Sequence, residues 1–221
     1  MSTLTPRPGI LDIAPYVAGR SEIGDRARVV KLASNESALG PSPRVVAAVE
    51  QAAGQVHRYP DGGSTDLREV LAEHYGLDPT RIVCANGSDE IFQLVCRAYV
   101  GQGDEVLYSE YGFLMYPIVA RAAGATPVTA PEVDMTADVD ALLKRVSKRT
   151  RVVFLANPNN PTGTYLSHDE VARLRAGLPP DVLLVVDAAY AEYVTKNDYD
   201  PGIRLVDQGD STIMTRTFSK V

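Results

Sequence analysis

Residues 151–163 read Arg-Val-Val-Phe-Leu-Ala-Asn-Pro-Asn-Asn-Pro-Thr-Gly, an apolar run followed at once by a polar stretch. A short continuous run of β-branched and aliphatic residues is typical of a strand that is buried on both faces of a parallel sheet. The proline, asparagine and glycine residues that follow are typical of a loop. The stretch therefore predicts a strand over 151–156 that leads into a polar loop at one edge of a sheet.

The same order of elements repeats on both sides of this stretch. Short β-branched runs alternate with segments of helical periodicity, which predicts an α/β fold with a mostly parallel sheet covered by helices on both faces. The first thirty residues lack sustained periodicity and indicate an extended arm. The predicted strands are 81–85, 105–109, 126–129, 151–156, 182–187 and 211–217, and the predicted helices are 44–53, 66–75, 88–100, 114–123, 139–146 and 169–176.

The composition excludes several classes of function. The 221 residues include 22 Lys plus Arg and 28 Asp plus Glu, for a net charge of −6 without a basic block, so we expect neither nucleic-acid nor membrane binding. The apolar runs are too short to span a bilayer. The N-terminal segment lacks the apolar core of a secretion signal, and we expect a cytoplasmic protein. Cys84 and Cys96 provide neither a disulfide framework nor metal-ligand spacing, so no metal is expected and both are assigned to the core.

Polar residues follow four of the predicted strands. Ligands of open α/β sheets bind outside the carboxyl ends of the strands. We therefore expect these four polar segments to meet at one edge of the sheet and to form the functional site. The segments are Asn86-Gly-Ser-Asp-Glu90, Asn157-Pro-Asn-Asn-Pro-Thr-Gly163, Asp187-Ala-Ala-Tyr190 and Arg216-Thr-Phe-Ser-Lys220.

Each segment also has a purely structural interpretation. Residues 86–89 could form a turn in which Ser88 caps a helix, or a helix start that binds phosphate. The loop over 157–163 could be a plain connection. Asp187 ends an aliphatic strand, where an ionised carboxylate needs a cationic partner, and an arginine could supply that partner without any catalytic role. Lys220 taken alone would be an ordinary surface lysine.

The polar segments at 157–163, 187–190 and 219–220, taken in order and spacing, resemble the motifs of the fold-type-I pyridoxal-phosphate aminotransferases. Among these enzymes they are most similar to the histidinol-phosphate aminotransferase family. Residues 31–43 and Arg58-Tyr-Pro-Asp61 look like N-terminal segments of that family, so the resemblance covers nearly the whole chain. It implies pyridoxal 5'-phosphate as the cofactor. It also implies that residues 1–55 form an arm and the first part of a small domain, and that residues 56–221 form an incomplete large, cofactor-binding domain.

The resemblance assigns roles to individual residues, of which Lys220, Asp187 and Tyr190 are the expected catalytic ones. Lys220 would form a Schiff base with the cofactor aldehyde and, once displaced by the substrate, shuttle the α-proton. Asp187 would keep the pyridine nitrogen protonated, while Asn160 and Tyr190 would donate hydrogen bonds to the phenolic oxygen of the ring. The residues expected to bind the cofactor phosphate are Gly87, Ser88, Asp89, Thr217 and Ser219.

Two aromatic residues complete the expected site. Tyr111 matches the aromatic residue that stacks on the cofactor ring in the family, although Phe113 could take this place and Tyr111 could be a core residue. Tyr59 matches a tyrosine that reaches the cofactor phosphate of the neighbouring subunit, which implies a homodimer. The alternative for Tyr59 is an aromatic residue of a surface loop.

The resemblance implies an aminotransferase of histidine biosynthesis that exchanges an amino group between L-histidinol phosphate and 2-oxoglutarate, with glutamate as a product. An aromatic amino-acid aminotransferase and a phosphate-substrate decarboxylase are alternatives, because these relatives share the cofactor motifs. Residues 35–38 read Asn-Glu-Ser-Ala and depart from the Asn-Glu-Asn-Pro of the family. The arginines that the family places after the lysine cannot follow Lys220, because the sequence stops at Val221. We therefore expect a fragment that is inactive by itself, at most a cofactor-binding module.

Overall fold

Contacts among the described residues separate two compact units. The larger unit comprises Gly87–Lys220 and the described part of residues 1–19, and the smaller unit comprises the described part of residues 20–86. The expected domain boundary after residue 55 falls inside the smaller unit and stays a prediction. Much of the expected arm, together with Lys31, Ala38 and Val221, lies outside the described residues. The computed structural model describes residues 6–17, 30, 33–37, 39–209 and 211–220.

A parallel sheet forms the centre of the larger unit. Five strands pair in parallel in the order β2-β1-β5-β6-β7, and a two-stranded antiparallel hairpin, β3-β4, follows β2. The central strands are buried almost throughout, because helices cover both faces of a parallel sheet of this kind. The strands are β1 (Glu105–Ser109), β2 (Thr126–Ala130), β3 (Glu132–Val133), β4 (Thr136–Ala137), β5 (Thr150–Ala156), β6 (Leu183–Asp187) and β7 (Thr212–Thr215).

Two apolar cores lie on opposite faces of this sheet, because successive side chains of a strand point to opposite sides. Val153 and Leu155 of β5 belong to one core, which includes residues of α5, α6 and α7. Val152 and Phe154 belong to the other core, with residues of α3 and α4 and with the buried Cys96. The helices are α1 (Pro43–Ala53), α2 (Thr65–Tyr75), α3 (Ser88–Tyr99), α4 (Met115–Ala123), α5 (Val139–Arg145), α6 (His168–Gly177) and α7 (Ile203–Gln208). This architecture confirms the predicted α/β fold.

The register of the central strands aligns their carboxyl ends. Ala156, the last residue of β5, pairs with Asp187, the last residue of β6, and Asp187 pairs in turn with Thr215, the last residue of β7. The loops that follow these three strands therefore leave the sheet side by side. This alignment places the polar segments after β5, β6 and β7 at one edge, as predicted from their position after apolar runs.

The smaller unit contains α1, α2 and a short 3-10 helix, Pro79–Arg81. The loop before α2 is held by Asp61, whose carboxylate accepts hydrogen bonds from the main-chain N–H groups of Thr65 at 2.7 Å and Gly63 at 3.0 Å. These hydrogen bonds lower the pKa of Asp61 to about 2. Arg68 of α2 donates from Nε to the carbonyl oxygen of Pro79 at 3.0 Å and so links α2 to the 3-10 helix.

Three features of the fold differ from the sequence prediction. The strand predicted over 81–85 is wrong: the 3-10 helix ends at Arg81, and residues 82–85 belong to no sheet in the described part of the chain. Val83 is 72% exposed, so this apolar run is not buried between helices. The last strand ends at Thr215, two residues earlier than predicted. The β3-β4 hairpin and α7 were not predicted, since both elements are too short to show a clear periodicity.

Candidate active site

The carboxyl edge of the sheet brings together the polar ends of β5, β6 and β7. The main-chain N–H of Asn157 donates to the carbonyl oxygen of Asp187 at 2.9 Å, and the N–H of Ala188 donates to the carbonyl oxygen of Thr215 at 3.0 Å. These bonds continue the strand ladder one residue beyond the strands. They fix the start of each loop relative to its neighbour, so the side chains that follow the strands are held on a rigid support.

Asp187 is the buried acidic residue at the middle of this edge, with 5% of its surface exposed. Its Oδ2 accepts a hydrogen bond from the Tyr116 hydroxyl at 2.9 Å. Its Oδ1 accepts hydrogen bonds from the Thr215 hydroxyl at 3.2 Å and from the main-chain N–H of Ala189 at 3.3 Å. The three donors are neutral, so these contacts leave the charge of the carboxylate uncompensated.

Burial raises the pKa of Asp187 to about 6, because removing a carboxylate from water disfavours its charged form. The hydrogen bonds from Tyr116, Ala189 and Thr215 oppose this shift, and the negative charge of Asp89 adds to it. A cation placed against Asp187 would restore the ionised form. The expectation that Asp187 faces a cationic group therefore agrees with its surroundings, and the arginine pairing considered as an alternative is not among its three hydrogen bonds in the described chain.

Tyr116 and Thr215 contact Asp187 but were missed by the sequence prediction. Tyr116 lies in the first turn of α4, and the sequence pattern places it only within the helix predicted over 114–123. Thr215 ends β7, and the sequence pattern places it only inside the strand predicted over 211–217. The signal that could have found Thr215 is the parallel alignment of the strand ends, because it places the last residue of β7 beside Asp187.

The loop after β5 is held by its first and third residues. The side chain of the fully buried Asn157 accepts a hydrogen bond from the N–H of Leu166 at 2.8 Å and donates to the carbonyl oxygen of Leu166 at 3.0 Å. Asn159, also buried, donates from Nδ2 to the carbonyl oxygen of Tyr111 at 3.1 Å and to the Thr162 hydroxyl at 2.9 Å. Asn160, the residue expected to contact the cofactor, is half-buried beside these two anchors.

Two of the segments expected to bind phosphate meet at the start of α3. Gly87 is the N-cap residue with a φ of 76°, a conformation that favours glycine, and it has no side chain that could cap the helix. Ser88 is therefore the first helical residue and not the cap considered above. A Cβ atom added to Gly87 would lie 3.9 Å from Oγ1 of Thr217, so the helix start lies beside the segment that precedes Lys220.

The segment from Thr217 to Ser219 folds back on itself next to this helix start. The Thr217 hydroxyl donates to Oγ of Ser219 at 3.0 Å, and the main-chain N–H of Ser219 donates to Oγ1 of Thr217 at 3.2 Å. The N–H groups in the first turn of a helix have no partner within the helix and carry partial positive charge, which makes such a start suited to an anion. The geometry therefore groups Gly87, Ser88, Thr217 and Ser219.

Lys220 lies close to two other residues of the expected site. Partial desolvation raises the pKa of Asp89 above its usual value, and the positive charge of Lys220 opposes this shift. Its Nζ atom lies 5.9 Å from the centre of the Tyr190 ring. The Tyr193 hydroxyl donates to the carbonyl oxygen of Lys220 at 2.9 Å, and Glu192 pairs with Arg216. The 3-10 helix Ala191–Tyr193 after β6 thus holds the segment that carries the lysine.

The remaining aromatic candidates lie in different surroundings. The main chain of Tyr111 is held by Asn159 and by Glu132, whose Oε1 accepts from the Tyr111 N–H at 3.2 Å, but its side chain is about half exposed. Phe113 packs edge-on against Tyr116, with ring centres 6.0 Å apart. Tyr59 belongs to the smaller unit and its side chain is fully exposed. Stacking of Tyr111 on a cofactor, with Phe113 as the alternative, stays a prediction. The role of Tyr59 also stays a prediction.

Neither a metal-binding cluster nor a membrane-spanning helix is found among the residues that the structure describes. No cluster of three or more His, Cys, Asp or Glu side chains among them could hold a metal ion. None of their helices is both long and apolar enough to cross a membrane.

The sequence and the fold both match known aminotransferases. The family model for aminotransferase class I and II matches residues 27–221. The chain is 63% identical over 221 residues to histidinol-phosphate aminotransferase of Rhodospirillum centenum, covering 100% of this chain and 61% of that protein. It is 61% identical over 216 residues to the enzyme of that name from Rhodospirillum rubrum, covering 98% of this chain and 59% of that protein. The chain thus spans about 61% of the length of such curated relatives.

Solved structures agree with this match. The crystal structure of histidinol-phosphate aminotransferase from Sinorhizobium meliloti in complex with pyridoxal-5'-phosphate has a TM-score of 0.80 and 35% identity, covering 85% of this chain and 51% of that one. The crystal structure of a putative histidinol-phosphate aminotransferase from Erwinia carotovora atroseptica has a TM-score of 0.79 and 29% identity, covering 85% of this chain and 55% of that one. The predicted fold-type-I architecture is confirmed, and the chain belongs to the aminotransferase class I and II family.

Proposed function

We propose that the full-length protein is a pyridoxal-phosphate-dependent aminotransferase that exchanges an amino group between L-histidinol phosphate and 2-oxoglutarate, with glutamate as a product. The observation that carries this proposal is the environment of Asp187. A buried carboxylate with only neutral hydrogen-bond donors lies at the sheet edge that also carries Lys220 and an uncapped helix start. Such an edge is suited to a ligand with a cationic ring at one end and a phosphate at the other.

The residues of this edge fit pyridoxal phosphate in both charge and hydrogen bonding. Asp187 would face the protonated ring nitrogen, because a cation there offsets the burial of the carboxylate. The phosphate would be held by the main-chain N–H groups of Gly87, Ser88 and Asp89 and by the hydroxyls of Thr217 and Ser219. When bound, the cofactor supplies an aldehyde and an electron-accepting ring. Asp89 would contribute its N–H and not its carboxylate, since two anions repel.

The chain's own residues would perform the remaining tasks. Lys220 would hold the cofactor covalently until the substrate amine displaces it, and its freed Nζ would then carry the proton that leaves the α-carbon of the substrate. Tyr190, whose ring lies close to Nζ of Lys220, would orient the cofactor ring through its hydroxyl together with the amide of Asn160. The aromatic ring of Tyr111 or Phe113 would cover one face of the cofactor. Asp187 would remain ionised and so stabilise positive charge on the ring.

The choice of L-histidinol phosphate rests on the named relatives, which are 54–63% identical to this chain along its length. Steady-state kinetics of the full-length protein test it, with 2-oxoglutarate as amino acceptor and L-histidinol phosphate, phenylalanine or threonine phosphate as amino donor. We expect kcat/KM for L-histidinol phosphate to exceed the values for the other donors. A higher kcat/KM for phenylalanine, or release of CO₂ from threonine phosphate, would favour one of the alternative functions and overturn the substrate assignment.

We also propose that the protein acts as a homodimer in which Tyr59 of one subunit reaches the cofactor phosphate held by the other subunit. The full exposure of the Tyr59 ring within its own chain supports this proposal, because the ring is available to a partner. Sedimentation equilibrium of the full-length protein measures the mass directly. We expect twice the mass of one chain.

A further inference from the structure

A buried hydrogen bond joins Tyr116 of α4 to Asp187 at the end of β6. Tyr116 has 0% of its surface exposed, and its hydroxyl donates to Oδ2 of Asp187 at 2.9 Å across a separation of 71 residues in the chain. A buried tyrosine hydroxyl requires a hydrogen-bond partner. Here that partner is the carboxylate at the centre of the candidate site.

The Tyr116 ring is locked in position by other aromatic rings. It stacks on Phe154 of β5 with ring centres 4.7 Å apart and planes 2° apart. Phe92, Tyr108 and Phe113 contact it edge-on, with centres 5.4, 5.9 and 6.0 Å away. These rings come from α3, β1 and the segment before α4, so four parts of the chain fix one hydroxyl. A side chain held this tightly keeps its polar atom within a fraction of an ångström.

The pattern of donors leaves one acceptor position of the carboxylate open. An ionised carboxylate has about four acceptor positions, two on each oxygen. In the described part of the chain, Oδ1 takes two hydrogen bonds, from Thr215 and Ala189, and Oδ2 takes one, from Tyr116. One position on Oδ2 is thus available for an N–H donor. The direction of that position depends on where the Tyr116 hydroxyl holds the oxygen.

We propose that Tyr116 is the positioning residue of Asp187: its buried hydroxyl fixes Oδ2 so that the open acceptor position points to a cationic ring nitrogen. The proposal rests on the proposed function for the identity of that nitrogen. Tyr116 itself does not touch the ligand. It acts through the carboxylate, both by orienting the carboxylate and by stabilising its ionised form.

The electrostatics of the pair agree with this role. The hydrogen bond from Tyr116 lowers the pKa of Asp187 against the effect of burial, and burial and Asp187 together raise the pKa of Tyr116 well above its usual value. Tyr116 therefore remains protonated, and remains a donor, around neutral pH. The negative charge of Asp89 from α3 adds to the raised pKa of Asp187, and Asp187 in turn helps to raise the pKa of Tyr199 from the segment after β6.

Titration of the Asp187 carboxyl group in the cofactor-free, full-length protein tests the proposal. Aspartate labelled with ¹³C at Cγ gives the titration by NMR, and the signal missing in Asp187→Asn identifies the residue. Tyr116→Phe keeps the ring and removes only the hydroxyl. We expect it to raise the pKa of Asp187 by roughly one to two units, as for loss of a hydrogen bond to a charged group. An unchanged pKa would overturn the proposal.

Tyr108→Phe is the matched control, because Tyr108 belongs to the same aromatic cluster and its hydroxyl makes no hydrogen bond to Asp187. We expect no shift from it, and an equal shift in both variants would contradict a role specific to the Tyr116 hydroxyl. If Tyr116→Phe does not fold, 3-fluorotyrosine at position 116 replaces it. Its more acidic hydroxyl should lower the pKa of Asp187, and no change would likewise overturn the proposal.

Cofactor binding by the unchanged protein is measured separately, by titration with pyridoxal phosphate. A shifted Asp187 titration together with absent cofactor binding would refute the proposed function and leave the hold of Tyr116 on Asp187 intact. Normal cofactor binding together with an unshifted Asp187 titration would refute the role of Tyr116 and leave the proposed function intact.

Discussion

At the scale of single residues, Asp187 is placed where it destabilises the folded chain. Its pKa is about 6 in the folded protein, compared with 3.8 for an unperturbed side chain. Between these pH values the folded state binds more protons than the unfolded state, so stability falls as pH rises through this window and the loss is complete above pH 6. A shift of about two units corresponds to roughly 3 kcal/mol. A residue with such an effect is expected at a site that binds a cation.

Asp187→Asn should therefore stabilise the cofactor-free protein at pH 8, by up to about 3 kcal/mol, and should have little effect at pH 4 where the carboxyl group is protonated. Urea unfolding at both pH values measures the difference. Asp78→Asn is the control of opposite sign: hydrogen bonds from Thr80 lower the pKa of Asp78, so its replacement should reduce stability at pH 8. Equal stability of wild type and Asp187→Asn at pH 8 would contradict the account.

Asp187→Asn should lower the activity of the protein, although it should raise the stability of the cofactor-free form. Replacing Asp187 by Asn removes the charge that stabilises a positive ring, and loss of a hydrogen bond between charged groups corresponds to at least roughly a 10- to 100-fold loss of rate. We expect kcat of the full-length Asp187→Asn protein to fall by at least this factor while the cofactor still binds. Near-normal turnover would mean that Asp187 is a structural residue.

At the scale of elements, the loop after β5 shows how one motif combines support and binding. Asn157 satisfies both the N–H and the carbonyl group of Leu166 in a fully buried position. Asn160, three residues later, is half-buried, and the structure gives its side chain no hydrogen bond within the described part of the chain. The first asparagine therefore shapes the loop, and the other is available to a ligand.

Asn157→Ala and Asn160→Ala form a matched pair that separates these roles. Asn157→Ala leaves two buried main-chain groups without partners and should destabilise the protein by about 2–4 kcal/mol. Asn160→Ala should change stability by less than about 1 kcal/mol but weaken binding of pyridoxal phosphate. Urea unfolding and cofactor titration of both variants provide the measurements. A larger loss of stability in Asn160→Ala than in Asn157→Ala would reverse the assignment.

The elements that the sequence predicts well are those with a long or fully apolar pattern. Strands β1, β5 and β6 lie within two residues of their predicted bounds because their runs are buried on both faces. The run at 81–85 is similarly apolar, but its burial depends on neighbours that are distant in sequence, and Val83 is exposed. The contact between Tyr116 and Asp187 was missed for the same reason, because no local pattern links residues 71 positions apart.

At the scale of the whole molecule, the order of the strands creates the site. The parallel order β2-β1-β5-β6-β7 places the loops after β5, β6 and β7 next to one another, and these loops carry Asn160, Tyr190 and Lys220. The sequence predicts that polar segments follow the strands, but it does not contain the strand order, which depends on long-range packing. The rule that ligands of open α/β sheets bind outside the carboxyl ends of the strands predicted a shared edge, and the fold confirms it for the segments after β5, β6 and β7.

The proposed homodimer makes a specific prediction for mixed subunits. Tyr59→Ala and Lys220→Ala should each be inactive as pure dimers. In a mixed dimer, the subunit that retains Lys220 receives Tyr59 from its partner, so one of the two sites is complete. We expect activity to appear when the two variants are unfolded together and refolded as a mixture. Absence of activity in verified mixed dimers would place Tyr59 in its own subunit's site or outside the site.

Reduction of the cofactor-loaded, full-length protein with borohydride tests the central claim most directly, namely that the carboxyl edge of this sheet holds pyridoxal phosphate through Lys220. Mass spectrometry of the digested protein then locates the modified lysine. We expect the modification on Lys220, its loss in Lys220→Ala, and its retention in Lys196→Ala, a lysine outside the proposed site. Modification of a different lysine, or its persistence in Lys220→Ala, would contradict the account.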